Sequence, residues 1–271
     1  MRRDLEREVV SRRIERAHVA QTRMLGGQTA EELRERLERR VVISVARRGK
    51  FLFLHLDSGD VLLVHRGMTG NLFLKDPADP PDAHLHLAAR LDDARELRLC
   101  DHRGFGELRA ISLTELDALS ARLGPEPLGP EFTVDYLAGQ FARRTALVKA
   151  LLLNQAIVAG LGNIYVDEAL WAAQVHPERR ANTLRGPEVE LLRKAIVRLI
   201  GESVERRGTT FSDYKDLYGN PGGNSAHLQV FHRAKQPCLR CGEPIQHVRA
   251  AGRGSSVCLA CQRPPAGNGA S

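Results

Sequence analysis

Apolar positions near the N-terminus follow a helical period. In residues 2–14 they lie roughly on one face of a helix, at Leu5, Val9, Val10 and Ile14. A second amphipathic helix is predicted over residues 29–39, where Thr29 and Glu32 have the spacing of a capping box. The chain is therefore expected to start with two helices.

From residue 41 the pattern changes to short runs rich in β-branched and apolar residues, separated by turn residues. These runs are predicted as strands at residues 41–46, 50–56, 61–65, 71–74, 84–91 and 96–100. Because the strands are short and follow one another without intervening helices, they predict an antiparallel β-sandwich or barrel.

The proline- and glycine-rich stretch at residues 124–130 sustains neither a helix nor a central strand, so a domain boundary is predicted there. Helical patterns follow it, over residues 135–141, 145–154, 163–174 and 187–206. The predicted fold class is α+β and multidomain, with an N-terminal β-sandwich flanked by helices and a C-terminal helical domain. The predicted divisions are a sandwich (1–118), a linker (119–134), a helical domain (135–227), a finger (228–263) and a disordered tail (264–271).

Four cysteines near the C-terminus form a C-x2-C-x16-C-x2-C array, at Cys238, Cys241, Cys258 and Cys261. Two pairs of thiolates at this spacing are typical of one tetrahedral structural zinc site. The alternative is two disulfides, which need an oxidising compartment, and the first residues do not resemble an export signal. The fifth cysteine, Cys100, lies outside the array and is expected to be a buried structural thiol.

Composition and charge narrow the function class. An apolar content of 42% without a long uncharged apolar run argues against a membrane span and for a cytoplasmic protein. Forty Lys and Arg against 33 Asp and Glu give a formal charge of +7, which suits a polyanionic partner such as nucleic acid. A basic but otherwise ordinary enzyme is the alternative.

The turn Gly160-Leu161-Gly162-Asn163 joins two predicted helices. Its glycines leave backbone N–H groups free at a helix N-terminus, which is a favourable site for a phosphate. A simple helix connector would have the same appearance, so this turn alone does not identify a function.

Several motifs occur in one order along the chain: Gly67 to Gly70, Asp101 to Gly106, Gly124 to Leu128, Arg143-Arg144 with Lys149, and Gly160 to Glu168. Together with the cysteine array they resemble, over nearly the whole chain, the formamidopyrimidine-DNA glycosylase family, which repairs oxidised purines in bacteria. The glycine pattern around Met68 is more similar to this branch than to the related endonuclease VIII branch. The resemblance implies a helix-two-turn-helix domain, a zinc finger hairpin, and a bifunctional glycosylase and AP lyase acting on 8-oxoguanine and formamidopyrimidine.

The resemblance also implies roles for single residues. Met68, Arg103 and Phe105 would fill the gap that a flipped nucleotide leaves in the duplex. Lys50 matches a lysine that assists β-elimination, and Arg253, in the glycine-rich finger tip, matches a residue that grips phosphates and assists δ-elimination. Each of these residues alone is compatible with packing or a solvated charge, and their joint occurrence favours DNA binding. The further matches to DNA-contacting positions are His84, Arg144, Lys149 and Asn163.

Family members begin Met-Pro-Glu-Leu-Pro-Glu-Val-Glu-Thr and then enter a helix similar to the one at Arg2, so the catalytic N-terminal proline and glutamate have no counterpart in this sequence. In the family the proline amine attacks the sugar carbon and the glutamate acts as acid and base. One explanation is a start codon assigned too far downstream, which the retained DNA-binding residues favour. The other is a catalytically inactive relative that binds damaged DNA. On either explanation we expect the printed chain to be poorly active, with Lys50 as the alternative amine.

The expected partner is double-stranded DNA containing oxidised purines or abasic sites, and the expected cofactor is one structural Zn²⁺. The protein is expected to be a monomer in the bacterial cytoplasm. Residues 208–226, rich in Gly, Asn, Ser and Thr, are too long for a routine connector and are predicted to form either a mobile lid or a disordered loop. The resemblance implies that this segment covers the flipped base. A zinc-ribbon regulatory protein, whose β-domain binds a protein partner, is a further alternative.

Overall fold

A computed structural model describes residues 1–265 and divides into two compact units. The first comprises Met1–Ala121 and Arg206–Ser225, and the second comprises Arg122–Glu205 and the described residues from Ala226 to Pro265. Of the predicted tail at 264–271, residues 266–271 lie outside the described part. None of the helices within residues 1–265 combines the length and the apolar composition needed to cross a membrane.

The first unit contains three helices and eight strands. The helices are α1 (Arg2–Val9), α2 (Ala30–Leu37) and α3 (Leu113–Ala121). The strands are β1 (Ile14–Val19), β2 (Val42–Arg48), β3 (Phe51–Leu56), β4 (Val61–His65), β5 (Asn71–Lys75), β6 (Leu85–Leu91), β7 (Glu96–Cys100) and β8 (Glu107–Ile111).

The strands form two four-stranded antiparallel sheets, in the orders β1-β6-β7-β5 and β2-β3-β4-β8. Alternate side chains of both sheets enter one buried apolar cluster, which Leu5 and Val9 of α1 join. Burying these side chains removes them from water and is the main stabilising contribution to the sandwich. The predicted class, α+β with an N-terminal sandwich, is confirmed.

The N-terminal helix is shorter than the sequence predicted. It ends at Val9, Ser11 has a φ of 66°, and Ile14 already begins β1. The β-branched pair Val9-Val10 favours leaving the helix, and the left-handed residue makes its continuation impossible. Strands β1 and β8 and helix α3 were also not predicted, although Ser112 and Glu115 exchange the hydrogen bonds of a capping box at the start of α3.

The described part of the second unit contains four α-helices, a short 3-10 helix (Ala181–Thr183) and a hairpin. Its elements are α4 (Val134–Ala142), α5 (Val148–Leu153), α6 (Asn163–Ala172), α7 (Gly186–Glu205), β9 (Gln246–Ala250) and β10 (Arg253–Val257). Apolar side chains of all four helices share one buried cluster. The predicted linker is not free chain at its centre, because Gly124 donates to the Gln155 carbonyl at 2.9 Å and Ala159 donates to the Pro125 carbonyl at 3.1 Å.

The segment Arg206–Ser225 belongs to the first unit, whereas the sequence placed residues 208–226 with the helical domain. Its backbone is held at the free edge of β5. The Asn71 amide donates to the Asp213 carbonyl at 2.8 Å and accepts from the Lys215 N–H at 3.0 Å, and Leu74 donates to the Leu217 carbonyl at 2.9 Å. These bonds are long-range, so the local composition of the segment does not reveal them.

Candidate nucleic-acid interface and metal centre

Two loops of the first unit present large apolar side chains to solvent. Met68, in the turn between β4 and β5, is 70% exposed, and Phe105, in the loop between β7 and β8, is 55% exposed. The loops lie against each other at Gly67, whose φ is +60° and where an added Cβ would come within 2.9 Å of the Gly106 nitrogen. Clustered exposed apolar side chains of this size mark a contact surface rather than a core.

Arg103 connects these two side chains. The centre of its guanidinium lies 4.6 Å from the centroid of the Phe105 ring, and its Nη1 lies 3.6 Å from Met68 Sδ. Arg23 adds a second guanidinium, 5.6 Å from the same ring. Met68, Arg103 and Phe105, which we call the wedge group, therefore form one exposed group with apolar contact area and a free fork of N–H donors.

A buried carboxylate fixes the wedge group. Asp101 is 2% exposed; its Oδ1 accepts from the Arg103 N–H at 3.1 Å and from the Thr69 hydroxyl, and its Oδ2 accepts from the Phe105 and Gly106 N–H groups at 3.0 and 3.1 Å. Burial raises the pKa of Asp101, but the hydrogen bonds from Thr69 and from the loop backbone outweigh it and hold this pKa below its usual value. The sequence reasoning missed Asp101 as the anchor of the wedge group, although an acidic residue directly before a glycine-rich turn was a usable signal.

Lys50 lies in the turn between β2 and β3 and is exposed. Burial first, and then the positive charge of Lys50, hold the pKa of His65 below its usual value. The His65 Nδ1 accepts from the Gly67 N–H at 3.2 Å. Lys50 and the turn that carries Met68 are thus linked through one half-buried histidine, within the same sheet.

His84 is exposed beside the same loop and has a φ of 58°. Its carbonyl accepts from the Asp101 N–H at 3.0 Å, and its ring centroid lies 6.1 Å from that of His102. His86, which the sequence reasoning also missed, is fully buried with Nε2 3.0 Å from the Asp101 carbonyl oxygen. The backbone of Asp101 is therefore held on this side as well.

In the second unit, Lys149, which is expected from the resemblance to contact DNA, lies inside the fold. Its side chain is fully buried, with Nζ 2.8 Å from Asp167 Oδ1 and 3.0 Å from the Gly254 carbonyl, and it also donates to the Ser255 hydroxyl. Asp167 Oδ2 accepts from the Ser256 N–H at 3.0 Å. Lys149 is therefore an internal tie between α5, α6 and the hairpin, a role that its sequence position did not reveal.

The other basic and amide positions of this unit are accessible to different degrees. Arg253 is exposed at the first residue of β10, directly after Ala251 and Gly252, which have φ values of 54° and 71°. Asn163 begins α6; its amide donates to the Gly254 carbonyl at 3.0 Å, and its buried Oδ1 has no partner within residues 1–265. Arg144 is half-buried and donates to the Gln140 carbonyl at 2.8 Å.

The four cysteines of the array are brought together in the second unit. Their Sγ atoms all lie within 4.8 Å of one another, with 3.9 Å between Cys238 and Cys261 and 3.5 Å between Cys241 and Cys258. These separations exceed the disulfide bond of about 2.05 Å. They fit thiolates arranged around one Zn²⁺, since bonds of ~2.3 Å in a tetrahedron separate the sulfurs by about 3.8 Å. The zinc prediction is confirmed, and four filled ligand positions make the metal structural.

Cys100 lies at the end of β7 and is buried. Burial raises the pKa of its thiol to about 12, so the thiol stays protonated at neutral pH. An inert structural role, as expected, follows from this environment.

Comparison with known families covers most of the chain. The model of the formamidopyrimidine-DNA glycosylase N-terminal domain matches residues 1–108, that of the formamidopyrimidine-DNA glycosylase H2TH domain matches residues 123–215, and that of a zinc finger found in FPG and IleRS matches residues 235–264.

Curated relatives and solved structures agree with these matches. A formamidopyrimidine-DNA glycosylase of Herpetosiphon aurantiacus is 40% identical over 97% of this chain and 96% of its own. One of Symbiobacterium thermophilum is 45% identical over 98% of this chain and 88% of its own. The structure of Lactococcus lactis Fpg with DNA containing an abasic site has a TM-score of 0.91 and 33% identity over 97% of each chain. A variant of that protein in complex with Fapy-dG-containing DNA also has a TM-score of 0.91, at 32% identity over 97% of each chain.

Proposed function

The chain belongs to the formamidopyrimidine-DNA glycosylase family, and we propose that it acts in base-excision repair as a DNA glycosylase and AP lyase on oxidised purines in duplex DNA. The observation that carries the proposal is the wedge group, in which two exposed apolar side chains flank a guanidinium on loops fixed by a buried carboxylate. Apolar side chains that are exposed together in this way are typical of a surface that binds a partner.

The wedge group suits base flipping. A base inside a duplex is inaccessible at its sugar carbon, so the nucleotide must leave the stack and the gap must be filled. Met68 and Phe105 supply apolar surface for insertion between bases, and Arg103 supplies donors for the base left without a partner. Because Asp101 holds the loop backbone, the segments that carry these side chains are fixed before DNA binds, which reduces the entropic cost of insertion.

The chemistry requires an amine. The amine forms a bond to the sugar carbon as the bond to the damaged base breaks, and the base leaves with a proton. The bond from this carbon to the ring oxygen then breaks, the ring oxygen takes a proton, and the resulting iminium allows elimination to cut the strand. We assign to Lys50 the assistance of β-elimination, because it is exposed and directly precedes Phe51, which pairs with His65 beside the Met68 turn. Arg253, exposed on the hairpin, is assigned the grip on phosphate oxygens and the assistance of δ-elimination.

His84, Arg144 and Asn163 are proposed to contact DNA near the lesion, with the N-terminus of α6 as a phosphate site. Residues 208–226 are proposed to cover the flipped base. We further propose a monomer that works in the bacterial cytoplasm, at the nucleoid. The zinc centre stiffens the hairpin that carries Arg253 and takes no part in the chemistry.

Borohydride trapping on a duplex with 8-oxoguanine opposite cytosine tests this proposal. The chain is assayed as printed and with a Pro-Glu-Leu-Pro-Glu-Val-Glu-Thr leader placed before Arg2. We expect a covalent adduct with the extended chain, and absence of an adduct from both forms would overturn the enzymatic proposal. If the printed chain also gives an adduct, its loss in Lys50→Gln but not in Lys194→Gln, on the surface of α7, would assign the amine to Lys50.

The alternative is a catalytically inactive relative that recognises damaged DNA. It predicts lesion binding that weakens steeply with salt, because phosphate contacts release counterions, and no strand cleavage in either form. The same two chains, assayed for binding and for cleavage, distinguish the alternatives.

A further inference from the structure

We propose that Trp171 and Arg240 are the outer-sphere positioning residues of the zinc centre, and that they couple metal binding to the C-terminal end of α6. This role goes beyond the repair reaction, and its test does not depend on glycosylase activity. It concerns residues of the second unit only.

The indole of Trp171 hydrogen-bonds to a zinc ligand. Trp171 is 8% exposed, and its Nε1 lies 3.4 Å from Cys238 Sγ. An indole N–H is a donor only, and the sulfur is therefore the acceptor. The backbone N–H of Arg240 lies 3.5 Å from the same sulfur. The sulfur of Cys238 thus accepts hydrogen bonds from two N–H groups. One is the backbone N–H of Arg240, two residues later, and the other is the indole N–H of Trp171, more than sixty residues earlier in the chain.

Arg240 lies between Cys238 and Cys241 in the sequence, and its side chain contacts the C-terminal end of α6. Its guanidinium centre lies 4.2 Å from the Trp171 ring centroid. Its Nη1 donates to the Trp171 carbonyl at 3.0 Å, and its Nη2 donates to the Ala172 carbonyl at 3.3 Å. Both carbonyls belong to the last turn of α6, where the helix dipole favours a cation.

Packing completes the contact. Trp171, Val230, Cys238, Ile245 and Cys258 form one buried cluster, separate from the main helical core. Two of its five members are zinc ligands, so the indole touches the metal site through both an apolar face and a polar edge.

The chemistry of the site explains why these donors are useful. Four thiolates around one Zn²⁺ carry a net charge of about −2, which must be stabilised away from bulk water. N–H groups directed at a thiolate and a nearby guanidinium offset this charge, and outer-sphere partners of this kind orient the ligand as well. A phenylalanine at position 171 would keep the apolar face and the stacking surface but would lack the N–H donor.

The test is the zinc affinity of the full chain, measured by competition with a chromophoric chelator. Trp171→Phe should weaken Zn²⁺ binding about tenfold to a hundredfold, the usual loss when an outer-sphere partner is removed. Ile245→Val is the matched control, because it trims the same cluster without removing a hydrogen bond, and it should change the affinity less than threefold. Affinities within twofold of the parent for Trp171→Phe, or an equal loss in both variants, would overturn the proposal.

A second readout needs no substitution. Trp171 is the single tryptophan of the chain, so its emission reports on the indole beside Cys238. Removing Zn²⁺ with a chelator should change the emission, and adding Zn²⁺ back should restore it with an endpoint at one ion per chain. Emission that ignores metal occupancy would contradict the proposal even if Trp171→Phe fails to fold.

Discussion

The wedge group of the first unit and the hairpin of the second are both held by a buried carboxylate, but in opposite ways. Asp101 is neutralised by N–H and O–H dipoles from the loops that it organises, which leaves Arg103 free at the surface. Asp167 is neutralised mainly by a buried cation, Lys149, whose charge is thereby unavailable to a partner. The charge of Lys149 is thus paired inside the fold, whereas that of Arg103 is exposed at the surface.

The largest effect on stability is expected when the buried cation of the second unit is removed. Lys149→Met should lower the free energy of unfolding of the second unit by about 3–5 kcal/mol, because Asp167 would remain buried without its counter-charge. Urea denaturation followed by Trp171 fluorescence measures the effect in this unit. Lys194→Met is the control, since the exposed pair with Glu190 should contribute under ~1 kcal/mol. Equal losses in the two variants would contradict the assigned role of Lys149.

Replacing the buried carboxylate of the first unit should lower the free energy of unfolding by a smaller amount. Asp101→Asn replaces one acceptor oxygen by an amide NH₂ group and leaves N–H groups of the wedge loops without an acceptor. This change should lower the free energy of unfolding by about 1–3 kcal/mol. Binding to lesion DNA should weaken too, although Asp101 is buried, because the wedge side chains lose their fixed positions. Circular dichroism in urea and a binding titration measure the two effects. Asp57→Asn, in an exposed turn where the carboxylate accepts from Val41 at 3.1 Å, should change both by far less.

The stability that Asp101 contributes should depend on pH. The folded-state pKa of Asp101 is lowered, so the unfolded chain binds its proton more tightly and this carboxylate stabilises the fold above its unfolded pKa of about 3.9. Its contribution is lost as the pH falls through the folded value. The stability difference between the parent and Asp101→Asn should therefore be largest at neutral pH and shrink below about pH 4. A difference that grows on acidification would contradict the assignment.

The smallest effect on stability is expected at the wedge itself. Met68→Ala and Phe105→Ala each remove an exposed side chain, so the free energy of unfolding should change by no more than about 0.5 kcal/mol. Each should nevertheless weaken binding to lesion DNA by roughly tenfold, as expected when an apolar anchor is lost from an interface. Denaturation and binding titrations on the same samples separate the two quantities. A loss of stability as large as that in Asp101→Asn would mean that these side chains are structural.

What the sequence revealed depended on whether the information was local. The cysteine array follows from its spacing, and the sandwich follows from short β-type runs. Met68, Arg103 and Phe105 were singled out only through the resemblance of their motifs to the family. Strand β8 was missed because its five residues contain only two inward-facing apolar side chains, Leu108 and Ala110, ahead of Ile111. Its pairing with β4, almost fifty residues earlier, determines its conformation.

The missed parts of the site have the same origin. The burial of Lys149 depends on the hairpin carbonyl of Gly254, more than a hundred residues away. The docking of residues 206–225 depends on Asn71 and Leu74 at the edge of β5. Neither contact leaves a periodic or compositional trace in the sequence. The sequence therefore did not predict the burial of Lys149, and it placed the segment with the helical domain.

Duplex distortion by the wedge group tests the central claim most directly, because it needs no catalytic amine. The measurement is the fluorescence of 2-aminopurine placed beside a stable abasic-site analogue, during titration with the parent chain and with the double variant Met68→Ala/Phe105→Ala. Insertion of the wedge should unstack the reporter, so the parent should raise the fluorescence at saturation and the double variant should not. An equal rise with both proteins, or no rise with the parent at saturating binding, would contradict the account.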